Sequence, residues 1–271
     1  MFYFNIVLVI SSFGVSIVYC QLSLDQQAEN TLVTNLFKNY SRAVRPDVTV
    51  DISVTFQLKQ IISIDEKNQI LSTTSFISQK WFDPRLSWDT ALNDNIRVIM
   101  VSLKNIWLPD TMIINSASGD GYLKLNGDFG YCSIFHDGFL YFISPAIALQ
   151  TRCALEMSDY PFDKQICNLR LASWGFGDNK LKYSLNDSQI DLSDYTPHNI
   201  WKLSSSKMKT AAKGDRTPFE ETQSTEINLE LVLTRKPLYY MMNSIFPCFI
   251  LNIVTLVSFF MPTVNGITIG K

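Results

Sequence analysis

Cysteine is the residue type in this sequence whose spacing suggests a defined chemistry. The stretch "CALEMSDYPFDKQIC" places Cys153 and Cys167 around thirteen residues, whose centre is an aromatic–proline–aromatic tip between Asp159 and Asp163. Cysteines of exported proteins pair as disulfides, whereas those of cytosolic proteins stay reduced. If the chain is exported, disulfide formation is therefore the chemistry that its cysteines would supply.

Catalytic chemistry is not indicated elsewhere. The two histidines, His136 and His198, do not stand at metal-ligand spacing with cysteines or carboxylates. The sequence has no Gly-rich phosphate loop, no G-x-S-x-G and no C-x-x-C pair. We therefore predict that the protein is not an enzyme and uses neither a cofactor nor a metal. The net charge of −2 gives no reason to expect nucleic acid, whose binding depends on clustered Lys and Arg.

The amino terminus predicts export. Residues 1–20 carry no charged side chain, and an apolar centre over 2–10 precedes small residues, as in a secretory signal peptide. A signal anchor or a buried strand is the alternative. The sequons at Asn39 and Asn186 predict glycosylation sites. An exported region would keep Cys132, Cys153 and Cys167, and an oxidising compartment would pair two of them.

The carboxyl end predicts a membrane helix. Residues 238–261 are uncharged, and a bilayer core of about 30 Å needs ~20 helical residues. We predict one transmembrane helix over 237–262, with a long buried helix as the alternative. Arg235 and Lys236 would lie on the outer side, against the positive-inside tendency, but the region between the two apolar ends is typical of a secreted domain. Residues 21–236 would thus be extracellular, and 263–271 would start the loop to a further helix.

The middle of the sequence has the period of strands. Apolar and polar residues alternate over 48–59 and again over 228–234, and turn-like residues occur at 65–69 and 118–121. The predicted fold class is mainly β, an antiparallel β-sandwich with a short N-terminal helix within 22–40, followed by one transmembrane α-helix. The apolar residues predicted to face the core are Val48, Val50, Ile52, Val54, Phe56 and Leu58 in the first stretch and Leu229, Leu231 and Leu233 in the second.

Several motifs together resemble one family. The loop 153–167 resembles the Cys-loop of pentameric neurotransmitter-gated ion channels, and its spacing is that of the family. The further motifs, in the order of the family, are "WLPD" at 107–110, "LASWGFG" at 171–177, and "TRKPLYY" at 234–240 followed by "FPCFI" at 246–250. "DEKNQILSTT" at 65–74 and "WFDPRLSW" at 81–88 resemble the nicotinic acetylcholine receptor branch, and the resemblance covers about 22–262.

The resemblance implies an architecture and a location. It implies a Cys153–Cys167 disulfide, a ligand-binding sandwich outside the plasma membrane, and five subunits around one pore with ligand sites at their interfaces. A postsynaptic membrane is one such location. The implied partners are a small cationic neurotransmitter-like ligand, other receptor subunits and the membrane.

The resemblance also implies a ligand site. In the nicotinic branch a quaternary ammonium lies in a box of aromatic rings, an attraction worth roughly 2 kcal/mol or more once desolvated. The family's tyrosine positions fall here on Ile114 and Ser224, and the loop 207–227 has no vicinal cysteine pair. We therefore expect a subunit that lends the complementary face of the site or answers a different ligand. The predicted ligand-binding residues are Trp174 on the principal face, Phe76 and Phe142 on the complementary face with Tyr141 and Ser144 beside them, and Phe219 as a further ring. Without the resemblance, Trp174 and Phe76 would be interpreted as core residues.

The last implication is a coupling site near the membrane. Arg235 matches the basic residue before the family's first membrane helix, and Glu66 matches an acid in an early turn. We predict an Arg235–Glu66 contact, with the apolar tip formed by Tyr160, Pro161 and Phe162 nearby and Asp163 close to Arg235. Solvated surface charges are the alternative.

Three functions fit these patterns. The preferred one is a subunit of a neurotransmitter-gated ion channel that couples ligand binding to gating. Because such a channel needs a second membrane helix and the sequence ends soon after Pro262, the chain by itself would not conduct. A truncated, non-conducting regulatory or ligand-binding subunit is therefore the second hypothesis. The third is a secreted module like the acetylcholine-binding proteins, which the uncharged span at 238–261 argues against.

Overall fold

A computed structural model of the chain describes residues 26–118, 130–144, 147–213 and 224–260. The predicted signal peptide at 1–20, the predicted ligand residue Phe219 and the segment 263–271 lie outside the described residues. Strands dominate the described part, which confirms the mainly β fold class, and a helix over 26–37 lies within the range predicted for it.

Eleven strands are described between the N-terminal helix and the C-terminal helix. Short 3-10 turns at Pro84–Leu86, Thr90–Leu92 and Leu103–Asn105 interrupt the loops between them. The strands are β1 Val50–Asp65, β2 Ile70–Phe82, β3 Val98–Ser102, β4 Thr111–Ile113, β5 Tyr131–Phe135, β6 Phe139–Ile143, β7 Ile147–Arg152, β8 Lys164–Ser173, β9 Leu181–Leu185, β10 Trp201–Lys213 and β11 Ser224–Arg235.

The strands form two sheets. The larger has the order β3-β5-β6-β2-β1-β9, with β7 pairing the first half of β2, and the smaller has the order β10-β11-β8-β4. The prediction of antiparallel pairing is wrong at one place, because β9 pairs parallel to β1 from Val50↔Leu181 to Val54↔Leu185. The chain crosses from the small sheet to the large one between β8 and β9, and β9 runs beside β1 in the same direction.

The core lies between the sheets and follows the predicted alternation. Ile52, Val54, Phe56 and Leu58 are fully buried on β1, and the three predicted leucines are buried on β11. Burying a side chain of this size stabilises a fold by roughly 1.5–3 kcal/mol. The prediction for Val48 is wrong: it precedes β1 and is 77% exposed, because the alternation in the sequence begins before the strand does.

One buried charge joins the N-terminal segment to the sandwich. Asp83 is fully buried and accepts hydrogen bonds from Arg85 Nε at 2.8 Å, Arg85 Nη2 at 2.7 Å and the Tyr40 hydroxyl at 3.0 Å. The Tyr40 oxygen in turn accepts from the Trp107 backbone N–H at 2.9 Å. Burial raises the pKa of the Tyr40 phenol to about 12. The network therefore connects the end of the N-terminal helix to two loops of the domain.

The C-terminal helix Leu238–Phe260 has 23 residues, is long and apolar enough to cross a membrane, and has no buried residue. A π-helical turn at Met241–Ile245 comes just before Pro247. Proline crowds the carbonyl four residues earlier and cannot donate a hydrogen bond, and a wider turn relieves both problems. Inside the span, the proline is thus accommodated without ending the helix.

Asp83→Asn should strongly destabilise the β-sandwich domain. Removing the buried carboxylate leaves the Arg85 guanidinium without its counter-charge, and breaking such a pair costs about 3 kcal/mol or more. Unfolding of the purified chain in denaturant measures the change. The matched control is Asp51→Asn, at an exposed position of β1, which should change stability by less than about 0.5 kcal/mol. Equal effects of the two substitutions on stability would contradict the role of Asp83 as the buried counter-charge of Arg85.

Candidate ligand-binding and coupling site

The loop that carries Trp174 is organised by the carboxylate of Asp110. Its Oδ1 accepts a hydrogen bond from Ser173 Oγ at 2.5 Å, and its Oδ2 accepts from the Gly175 backbone N–H at 2.7 Å. Ser173 Oγ also accepts from the Phe176 N–H at 3.0 Å. A Cβ at Gly175 would lie only 3.3 Å from Asp110 Oδ2. The "WLPD" motif therefore fixes the backbone on both sides of Trp174, whose ring stays 61% exposed.

Two further carboxylates connect this loop and its strand to β11. Asp178 accepts from the backbone N–H and the hydroxyl of Thr225 at 2.5 and 2.6 Å. Glu226, almost fully buried, accepts from Nη2 and Nε of Arg170 on β8 at 2.7 and 3.0 Å. The sequence analysis missed both connections, because hydrogen-bond partners so far apart in sequence give no signal until the β8–β11 register is known.

The predicted ligand residues lie on different parts of the sandwich. Trp174 follows β8 of the small sheet, whereas Phe76 is partly exposed on β2 of the large sheet. Ile114 is partly exposed and Ser224 is buried. A single chain therefore does not close an aromatic box from its described residues.

The prediction of a ligand contact at Phe142 is wrong. Phe142 is only 2% exposed and belongs to the hydrophobic core. Successive residues of a strand point to opposite faces, so its neighbours Tyr141 and Ile143 are the exposed residues of this part of β6. Phe139 on the same outer face stacks with Phe82 of β2 at a centroid distance of 5.3 Å. Exposed apolar patches of this kind commonly mark interaction surfaces.

The disulfide Cys153–Cys167 is present and joins the end of β7 to β8. Gln165 holds the loop across its base, since its amide donates to the Glu156 carbonyl at 2.7 Å and accepts from the Glu156 N–H at 2.9 Å. At the tip, the aromatic rings of Tyr160 and Phe162 are exposed and Pro161 between them is buried. The cross-linked loop thus presents two aromatic rings on a fixed base.

Arg235, at the end of β11, is the centre of the predicted coupling site. Its Nη1 lies 2.6 Å from Glu66 Oε1, so the predicted contact is present. Its Nε and Nη2 donate to the two carboxylate oxygens of Asp163 at 2.6 and 3.1 Å, and Nη1 donates to the Tyr240 hydroxyl at 3.0 Å. The guanidinium also lies over three aromatic rings, at centroid distances of 4.3 Å for Trp201, 5.0 Å for Tyr160 and 5.1 Å for Tyr240.

The charges of this cluster reinforce one another. Burial alone would raise the pKa of Asp163, but the hydrogen bonds from Arg235 and Gln165 and the charge of Arg235 outweigh burial and hold the pKa below its usual value. Burial likewise disfavours the charged form of Arg235, and its bonds to Asp163 and Glu66 nevertheless raise the pKa of the guanidinium. The Asp163–Arg235 pair therefore remains charged at neutral pH.

The remaining residues singled out from the sequence are two candidate glycosylation sites and one cysteine. The side chains of Asn39 and Asn186 are exposed, so their glycosylation stays a prediction. Cys132 is buried on β5 without a disulfide partner. Burial raises the pKa of its thiol to about 12, which makes it unreactive at neutral pH.

Comparison with known proteins identifies the class. Residues 29–237 match the family described as the neurotransmitter-gated ion-channel ligand binding domain, and the chain belongs to this family. It is therefore homologous to ion channel subunits and is not an enzyme.

The relatives are nicotinic receptor subunits. The chain is 29% identical to the neuronal acetylcholine receptor subunit beta-4 of Gallus gallus, over 88% of this chain and 50% of the relative. It is also 29% identical to subunit beta-2 of Mus musculus, over 97% and 52%, and 28% identical to the acetylcholine receptor subunit alpha-type unc-38 of Caenorhabditis elegans, over 92% and 53%. The chain thus spans about half the length of the relatives that it matches.

Asp110→Ala should loosen the Trp174 loop selectively. Hydrogen bonds to a charged acceptor are worth about 1.5–3 kcal/mol, so losing both should speed amide exchange at 175–176 about tenfold or more. Hydrogen–deuterium exchange of a peptide spanning 172–178 measures this. Asp187→Ala removes a similar bond, from Gln189 N–H at 3.1 Å, and should leave this peptide unchanged. Unchanged exchange in Asp110→Ala would contradict the role of Asp110.

Asp163→Asn should destabilise the chain far more than Glu66→Gln. The side chain of Asp163 is 1% exposed and that of Glu66 is 38% exposed. Losing the buried carboxylate should cost about 3 kcal/mol, and losing the exposed one less than about 1 kcal/mol. Thermal unfolding of the purified variants measures both.

The pH dependence of stability checks the Asp163 assignment independently. Because the pKa of Asp163 is lowered by folding, its carboxylate stabilises the chain above the unfolded value of about 3.9 and ceases to do so as the pH falls through the folded value. The stability difference between wild type and Asp163→Asn should therefore be full at pH 7 and shrink below about pH 4. A stability difference that does not change with pH would contradict the stabilising role of the Asp163 carboxylate.

Proposed function

We propose that the chain is a subunit of a neurotransmitter-gated ion channel in the plasma membrane. Its extracellular domain, 21–236, binds ligand at the interface with a neighbouring subunit, and its helix at 237–262 transmits binding to the membrane. The arrangement around Arg235 is the observation that carries this proposal. One guanidinium contacts the disulfide loop through Asp163, the β1–β2 turn through Glu66 and the membrane helix through Tyr240.

Strands β8 and β11 connect the Trp174 loop with the coupling site. Trp174 lies at one end of β8 and Cys167 of the disulfide loop lies within it. The Arg170–Glu226 pair links this strand to β11, which ends at Arg235. A displacement of the Trp174 loop therefore has two paths to the coupling site. One follows the backbone of β8 to the disulfide loop, and the other crosses the Arg170–Glu226 pair to β11.

We further propose that the chain supplies the complementary face of a site for a small cationic ligand. Among the described residues at the family's principal positions, Trp174 has Ile114 and Ser224 where rings would complete a box. On the other face, Phe76 of β2 and Tyr141 of β6 are accessible aromatic rings on neighbouring strands. A principal face from another subunit would complete the site, which makes assembly with other receptor subunits part of the proposal.

Co-expression with an acetylcholine receptor alpha-type subunit tests this role. Phe76→Ala in this chain should weaken acetylcholine binding about tenfold or more, the equivalent of 1.4 kcal/mol, since it removes a ring of the complementary face. The matched change Trp174→Ala should alter the affinity less than about threefold, or 0.7 kcal/mol. Radioligand binding to membranes carrying both subunits measures both effects.

Two results would contradict the proposal. High-affinity acetylcholine binding by this chain alone, abolished by Trp174→Ala, would make it a principal subunit. Release of the intact chain into the culture medium would contradict its anchoring by Leu238–Phe260.

A further inference from the structure

The ring of Phe76 already has a cation of the same chain above it. Lys59 Nζ lies 5.0 Å from the ring centroid, within the range of a cation–π contact. The two residues lie on adjacent strands, since Gln57 of β1 pairs directly with Phe76 of β2. One face of the Phe76 ring therefore carries an ammonium group of the protein.

The position of Lys59 is fixed by the segment 191–196. Lys59 Nζ contacts Asp194 Oδ2 at 2.6 Å, and the Lys59 carbonyl accepts from the Thr196 N–H at 2.7 Å. Gln57 Nε2 donates to Ser193 Oγ at 3.1 Å and to Asp194 Oδ2 at 3.4 Å. The ammonium is thus held between an aromatic face and a carboxylate.

The pair remains accessible from outside. The Lys59 side chain is 28% exposed and that of Asp194 is 59% exposed. An accessible carboxylate on an accessible ammonium is exchangeable, because solvent stabilises either partner after separation. A second carboxylate can therefore take the place of Asp194 without leaving a buried charge behind.

A second lysine repeats the arrangement on the same face. Lys80 Nζ lies 4.3 Å above the ring of Phe139, which belongs to the neighbouring strand β6. The outer face of β1, β2 and β6 thus presents two ammonium groups next to aromatic rings. Either ammonium group can pair with a carboxylate of a ligand, and complementary charge of this kind sets specificity.

Resting on the function proposed above, we propose that Lys59 is a specificity-determining residue of the complementary face. It selects a ligand that carries a carboxylate at the end opposite its ammonium, an ammonium–carboxylate zwitterion. The ammonium binds the principal face of the neighbouring subunit, and the carboxylate replaces that of Asp194 on Lys59. A purely cationic ligand gains no contact with Lys59 and meets an ammonium group beside the Phe76 ring, so it binds less tightly than the zwitterion.

Two trimethylammonium probes that differ only in a terminal carboxylate test this inference. γ-Butyrobetaine has a trimethylammonium group and a terminal carboxylate, and butyltrimethylammonium has a methyl group in place of the carboxylate. Tritiated forms of both are titrated onto membranes carrying the full chain with an alpha-type acetylcholine receptor subunit. The wild type should bind γ-butyrobetaine about tenfold or more tightly than butyltrimethylammonium, by 1.4 kcal/mol or more.

Variants of Lys59 test whether its charge causes the preference for γ-butyrobetaine. Lys59→Gln should bring the two affinities within about threefold, or 0.7 kcal/mol, and Lys59→Arg should keep the preference. Asp194→Asn should tighten binding of γ-butyrobetaine, because it removes the competing carboxylate. The control is Lys182→Gln, at an exposed position that pairs with Asp51 on the same sheet. Asp51 lies roughly 27 Å along β1 from Lys59. The control should leave the ratio of the two probe affinities unchanged.

The outcomes separate this inference from the function on which it rests. Equal affinity of the two probes in the wild type, or a preference that survives Lys59→Gln, would overturn the role of Lys59 alone. If neither probe binds and acetylcholine binding is insensitive to Phe76→Ala, the complementary-face function itself is overturned, and this inference with it.

Discussion

A guanidinium that is removed from water must be neutralised and hydrogen-bonded, and the arrangement around Arg235 follows from this constraint. Arg235 is 2% exposed and satisfies its donors with Asp163, Glu66 and the Tyr240 hydroxyl. Buried ion pairs contribute little net stability, but removing one partner is costly. The three partners belong to three separate segments, so the charge of one arginine holds those segments together. Its importance is therefore geometric, as the proposed transmission from the β-sandwich to the C-terminal helix would require.

The parts of the fold that depend on local pattern were predictable from the sequence. The alternation of β1 and β11 gave the buried faces correctly, and the uncharged stretch gave the C-terminal helix. Phe142 shows the limit of this reasoning. An error of one residue in the aligned position moves a side chain from one face of a strand to the other, and Tyr141, not Phe142, is exposed. The prediction that Val48 faces the core was wrong for a related reason. A pattern of hydrophobicity does not mark where hydrogen bonding to the neighbouring strand begins.

The candidate site was predictable only in part, because its partners are distant in the sequence. The Arg235–Glu66 contact was predicted from the family resemblance and not from the residues alone. No local pattern connects Asp110 to the backbone around Trp174 or Lys59 to Asp194, which are 65 and 135 residues apart. Those contacts depend on the order of strands within each sheet, including the parallel β1–β9 pair. Sequence reasoning therefore found the residue types of the site and missed the contacts that position them.

Arg235 and Lys59 have the same kinds of contact and differ in burial. Arg235 and Lys59 each lie over an aromatic ring and contact a carboxylate at 2.6 Å. Around Arg235 the side chains of the cation and of Asp163 are almost fully buried, so separating them would leave two uncompensated charges in a medium of low dielectric constant. Around Lys59 water reaches both partners, and the carboxylate can be exchanged at small cost. The same contact is therefore a permanent structural connection at the membrane end of the domain and a replaceable one on the face where a ligand would bind.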